Sequence, residues 1–138
     1  IKSAGNMLRN IHPLYIRGEK QDYESTRGFV VEQSSNWLDF CYSDTFAKAF
    51  CLGKDISANL TNCYTFWYTG YDKPEVGIWC DGKFNSNVTG FRCEFNIYNP
   101  VPSYILLHAE PGGNGSIMQT SMPNVKLADE DMSKEYTH

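Results

Sequence analysis

A mainly β domain, an antiparallel sandwich or barrel, is what this sequence predicts. Three observations point there. Tyr, Phe and Trp make up 14% of the 138 residues, and such rings suit a pleated, half-buried surface. Apolar and polar residues alternate with period two in several stretches, which is the pattern of strands. Turn residues recur at intervals of roughly ten residues, as in all-β sandwiches and barrels.

The elements follow in order. Leu14-Tyr15-Ile16 suits a short strand, and Gly28 opens the β-branched run Phe29-Val30-Val31-Glu32. In Trp37 to Tyr42 both alternating faces carry apolar groups, so this strand is expected to be covered on two sides. One short helix is predicted over about 44–52. Asp44 can cap its free amides, Phe46, Ala49 and Phe50 recur at helical spacing, and Gly53 can adopt the left-handed C′ conformation. Thr61 to Thr69 reads as a strand with Tyr64, Phe66 and Tyr68 on one face and Cys63, Thr65 and Trp67 on the other. Val76 to Cys80 is the next strand, and Asp81-Gly82 has the composition of a hairpin turn. Gly90 to Tyr98 sets Phe91, Cys93, Phe95 and Ile97 against Arg92, Glu94 and Asn96. Asn99-Pro100-Val101-Pro102 ends it, because proline cannot donate to a ladder. Ser103 to Ala109 is the last predicted strand. Residues 1–110 are read as one domain. Residues 111–138 are read as a flexible or partner-docked tail that is rich in acids and too polar to bury much surface.

The cysteines suggest a compartment. Cys41, Cys51, Cys63, Cys80 and Cys93 show no CxxC spacing and no paired histidines, which disfavours a zinc site. The expectation is a disulfide framework in a secreted, extracellular protein, with Cys80–Cys93 and Cys51–Cys63 as the pairs. The odd cysteine is left for a possible homodimer. Asn59-Leu60-Thr61, Asn87-Val88-Thr89 and Asn114-Gly115-Ser116 are N-glycosylation sequons. A chain opening on Ile1 fits a processed mature protein or an excised domain.

The net charge of −4 and the lack of any basic run argue against nucleic-acid partners, which need phosphate neutralisation. No stretch approaches the roughly 20 apolar residues of a transmembrane helix. No cofactor motif occurs: Pro111 to Ser116 lacks the Lys and the helix of a phosphate loop. There is no G-x-S-x-G elbow. His108-Ala109-Glu110 is the nearest approach to a metal-ligand cluster, and no metal site is predicted.

The stronger lead is the aromatic stretch from Tyr64 to Phe84. Trp67, Tyr71, Trp79, Asp81 and Phe84 are the candidate ligand-binding residues, because rings beside polar groups can stack on and orient an amphipathic ligand. Tyr71 and Phe84 lie near predicted turns and are expected to be exposed. The resulting expectation is a binding domain for a carbohydrate, a small amphipathic ligand or a protein, without catalytic residues. One alternative is a small hydrolase, either a nuclease using His12 and His108 or a glycosidase using two of Asp39, Asp72, Glu75 and Asp81. The other is a structural, oligomer-forming domain.

Overall fold

The computed structural model describes residues 1–14, 25–67, 75–95, 104–118 and 126–128. Within them lie thirteen strands: β1 (Met7–Arg9), β2 (Arg27–Val31), β3 (Asn36–Asp39), β4 (Tyr42–Asp44), β5 (Lys48–Leu52), β6 (Ala58–Thr61), β7 (Tyr64–Trp67), β8 (Glu75–Lys83), β9 (Asn87–Thr89), β10 (Arg92–Phe95), β11 (Tyr104–Glu110), β12 (Ser116–Met118) and β13 (Lys126–Ala128). Every pairing is parallel. The strands form three sheets, ordered β1-β3-β6-β9-β12, β10-β7-β4 and β13-β11-β8-β5-β2, here called sheets A, B and C. The chain visits A, B and C in turn and then starts the next circuit one strand further along. This is a three-sided parallel β-solenoid, in which each circuit buries its apolar face only by stacking on its neighbours.

The expected antiparallel sandwich or barrel is therefore overturned. Alternation marks which side chains point inward, and it is the same in parallel and antiparallel strands. Parallel neighbours need a long crossover, and here two further strands of the circuit supply it instead of a helix. No helix occurs among the described residues, which corrects the one predicted over 44–52. Asp44 ends β4, Thr45 turns the corner with φ 67, and Lys48–Leu52 is β5. The helical spacing of Phe46, Ala49 and Phe50 arises because it straddles that corner.

The interior is built from columns of equivalent residues. Leu8, Leu38, Leu60, Val88 and Ile117 stack in register through sheet A. Phe29, Phe50, Ile78 and Leu107 do the same in sheet C, with the Phe29 and Phe50 rings 4.9 Å apart and parallel. Phe91 reaches across and meets Phe50 edge-on at 5.5 Å. Fully burying one such aliphatic or aromatic side chain contributes about 1.5–3 kcal/mol. Where sheets B and C approach, small residues make room: a Cβ on Gly28 would lie 2.1 Å from Ser43 Oγ. Gly82 has a similar role. It does not close a hairpin, because β8 runs straight through it, and a Cβ there would sit 2.8 Å from Asp55 Oδ1.

The corner between sheets A and B repeats most closely. Asn10, Phe40, Asn62 and Gly90 occupy equivalent apices with φ of 56°, 52°, 52° and 69°. Their N–H groups donate to the carbonyls of Asp39, Thr61, Thr89 and Met118, so the hydrogen-bond ladder continues around the bend.

No two cysteines are bonded to one another; all five are buried free thiols. The predicted Cys51–Cys63 and Cys80–Cys93 pairs rested on adjacency across hairpins. In the solenoid Cys51 and Cys80 belong to sheet C, Cys63 lies at the A/B corner and Cys93 on sheet B. With no bridge formed, no odd cysteine is singled out for a dimer. Ser116–Met118 and Lys126–Ala128 extend sheets A and C as β12 and β13. The rest of the predicted tail, residues 119–125 and 129–138, with its acids Asp129, Glu130, Asp131 and Glu135, lies outside the described residues.

Candidate functional site

The sequence-predicted aromatic site is divided by the solenoid. Trp67 ends β7, in register with Phe95. Tyr71 and Asp72 lie outside the described residues. Phe84 is completely buried, with Gly113 and Gly115 pressed so closely on it that a Cβ at either would clash. Its expected exposure is thus corrected. A residue that follows Asp81-Gly82 is exposed only if those residues form a turn, and here they are strand.

Trp79 and Asp81 do come together, on the outer side of β8. The Trp79 indole N–H donates to Asp81 Oδ1 at 2.9 Å. One ring face stacks on His108 at 3.9 Å, from the following circuit. Lys48 Nζ lies 3.9 Å from the ring centroid, from the preceding circuit. Both faces of the indole are therefore occupied by neighbours, and stacking on a ligand would have to displace one of them.

Of the residues of the hydrolase alternative, Asp72 lies outside the described residues and the others sit on different parts of the solenoid. His108 is on sheet C. His12 lies in the first circuit on the B side, stacked on Tyr42 at 4.0 Å, with Nε2 3.4 Å from Asp44 Oδ2. Asp39 is on sheet A, where it accepts from Arg9 Nε at 2.9 Å, while Glu75 and Asp81 lie on β8 of sheet C. Among the described residues no three His, Cys, Asp or Glu side chains are grouped to hold a metal. No helix there is long and apolar enough to cross a membrane.

A different surface emerges at the A/B corner. Met7 and Trp37 occupy consecutive rungs on the outside of sheet A and are 63% and 42% exposed. Phe40 stands at the next apex, 56% exposed. Beside it runs a groove of about 370 Å³ lined by Phe40, Cys41, Tyr42, Asn62, Tyr64 and Arg92, with Gly90 at one end. Its rim is a stack along the solenoid axis: His12, Tyr42, Tyr64 and Arg92. The Tyr42 and Tyr64 rings are 4.3 Å apart, and the Arg92 guanidinium carbon is 5.4 Å from the Tyr64 centroid. These rings turn their faces to one another, so solvent meets chiefly their edges.

Cys41 lines the groove, and Cys63 is its buried neighbour. Cys41 and Cys63 lie on consecutive rungs, and the Tyr64 N–H donates to the Cys41 carbonyl at 2.9 Å. A hydrogen bond from the Cys63 thiol lowers the Cys41 pKa to about 7, against the opposing effect of burial. The same bond, together with burial, pushes Cys63 strongly upward. On sheet C, burial alone dominates and raises Cys51 and Cys80 to about 12.

The spatial logic of this site was missed because Trp37 and Phe40 precede the aromatic-rich stretch. A signal was present in a short repeat: Leu8-Arg9-Asn10-Ile11-His12-Pro13, Leu38-Asp39-Phe40-Cys41-Tyr42-Ser43, Leu60-Thr61-Asn62-Cys63-Tyr64-Thr65 and Val88-Thr89-Gly90-Phe91-Arg92-Cys93. Comparison with known protein families, curated proteins and solved structures finds no match.

Proposed function

We propose that this chain is an extracellular recognition domain that binds a protein partner through Met7, Trp37 and Phe40 at the A/B corner. Phe40 carries the argument. Its apex requires a left-handed backbone, which costs an ordinary L-residue roughly 1–2 kcal/mol. Three of the four equivalent apices carry Asn or Gly, the residues that tolerate that conformation best. The second circuit places a bulky ring there and leaves it more than half exposed. Burial does not repay the strain, and strain retained at an exposed residue is a mark of function.

Chemistry favours a protein over a sugar. Exposed Trp with nearby Tyr and Arg is the composition of interface hot spots. The Arg9–Asp39 ion pair beside Trp37 provides a polar rim. Ladder rings showing edges, and an indole covered on both faces, offer little flat surface for a pyranose. The extracellular placement rests on the sequons, whose asparagines Asn59, Asn87 and Asn114 all lie at the surface.

The test is a binding screen of the folded protein against an array of extracellular proteins and an array of glycans. The expected result is a protein ligand whose binding is lost in Trp37→Ala and Phe40→Gly and retained in Trp79→Ala. A glycan ligand, or a protein ligand lost in Trp79→Ala and indifferent to Trp37 and Phe40, overturns the reading.

A further inference from the structure

Two of the three sequons lie on adjacent rungs in the same register. Asn59 pairs with Asn87 and Thr61 with Thr89 across β6 and β9. Ala58, Leu60 and Val88 point inward and are buried, so alternation sends both asparagines and both threonines to the outside of sheet A. The acceptors touch: Asn87 Nδ2 donates to Asn59 Oδ1 at 3.4 Å, and Ser116 Oγ donates to Asn87 Oδ1 at 3.0 Å. Asn114, the third acceptor, is exposed in the loop before β12, where its backbone N–H donates to Asn85 Oδ1.

We propose that Asn59 and Asn87 form a paired N-glycan site whose two sugar trees rise side by side from the outer face of sheet A. This deepens the extracellular reading and rests on it. In each transfer the asparagine Nδ2 bonds to the anomeric carbon of a polyprenyl-pyrophosphate-linked oligosaccharide. The bond from that carbon to the phosphate oxygen breaks, the amide loses one proton and the lipid pyrophosphate leaves. The modified nitrogen keeps one hydrogen, and each side-chain carbonyl remains an acceptor.

The pairing has a steric consequence. Neighbouring strands are only about 4.8 Å apart, and N-linked glycans are bulky. Two trees rooted one strand apart shield each other from enzymes. They cover sheet A over its third and fourth strands, β6 and β9; Trp37, the register partner of Asn59 on β3, lies one strand from the first tree, and Met7 on β1 lies two strands away.

The experiment is secretion of the chain from eukaryotic cells, glycopeptide mass spectrometry, and release of each glycan from the native protein by an endoglycosidase. Both Asn59 and Asn87 are expected to be occupied. Release at Asn87 is expected to speed up several-fold in Asn59→Gln and also in Thr61→Ala, with release at Asn114 unchanged. Thr61→Ala removes the sequon but keeps the Asn59 amide, so agreement between the variants assigns the effect to the lost sugar. An unmodified Asn59 or Asn87 in the secreted protein, a wild-type chain retained without sugar, or an Asn87 release rate indifferent to both variants overturns the pair. Each of these outcomes leaves the Trp37–Phe40 reading to its own binding test.

Discussion

Two aromatic clusters sit on the outside of this solenoid and are built in opposite ways. On sheet C, Trp79 is clamped between Lys48 and His108 and tied to Asp81. At the A/B corner, Trp37 and Phe40 are exposed, and Phe40 occupies a backbone conformation that suits its neighbours' Asn and Gly better. The sheet C cluster spends its contacts within the molecule, while the corner keeps apolar surface available at a cost in strain. Aromatic density therefore does not decide the proposed site, which rests on an uncovered ring held against local preference.

The contrast can be broken in several ways. Phe84→Ala gives the interior reference: removing a fully buried ring should cost about 3–5 kcal/mol, read by chemical denaturation. A small loss there would mean that the circuits pack too loosely for any inside–outside distinction to hold. Alkaline titration separates the thiols of the two regions. Cys51 and Cys80 are held near 12 by burial, above the ordinary value of 9.0, so the unfolded chain ionises first. Stability is full below about pH 9 and should fall between 9 and 12, by up to about 1.4 kcal/mol per pH unit for each thiol. The Cys41–Cys63 pair has mixed signs: the lowered Cys41 pKa contributes stability present above 9 and lost as pH falls through about 7, and the raised Cys63 thiol opposes it above 9. Thermal melts across this range, repeated on Cys51→Ala and Cys41→Ser, check both signs.

The clamped tryptophan should behave structurally. Trp79→Ala is expected to lose about 1–2 kcal/mol from stacking, cation–π contact and partial burial, with partner binding retained. Phe40→Gly should raise stability by about 1 kcal/mol through relief of the left-handed strain while abolishing binding; equal or lower stability would remove strain from the argument. The smallest effect is inside the corner circuits. The Ser43 and Thr65 hydroxyls are buried without a hydrogen-bond partner, and such a group is costly to bury. Thr65→Val keeps the shape and should add up to about 1 kcal/mol, measured by the denaturation midpoint.

Side-chain direction was legible in the sequence, and strand direction was not. Cys63 and Thr65 point inward and Phe91 and Cys93 are buried, as the alternation predicts. Yet the uninterrupted strand read over 61–69 is broken at Asn62, a corner that polar composition alone does not reveal. Asp81-Gly82 looks like a hairpin because tight turns and close backbone approach both select glycine. The helix at 44–52 was inferred from three apolar residues whose spacing spans a bend. Within the candidate site, Trp79 and Asp81 meet on the outside of β8, but which ring faces stay open depends on contacts from other circuits. That information lies in residues such as Lys48 and His108, distant in sequence from Trp79 and from each other.

The A/B corner separates two kinds of specification. Its backbone bend and inward column are fixed by the ladder, while the apex side chain points to solvent and takes no part in the core. Asn10, Phe40, Asn62 and Gly90 thus form a row along one edge outside the core, coupled at its last step, where a Cβ on Gly90 would lie 2.3 Å from Asn62 Oδ1. A chain built this way can vary the surface of that edge while its interior columns stay as they are.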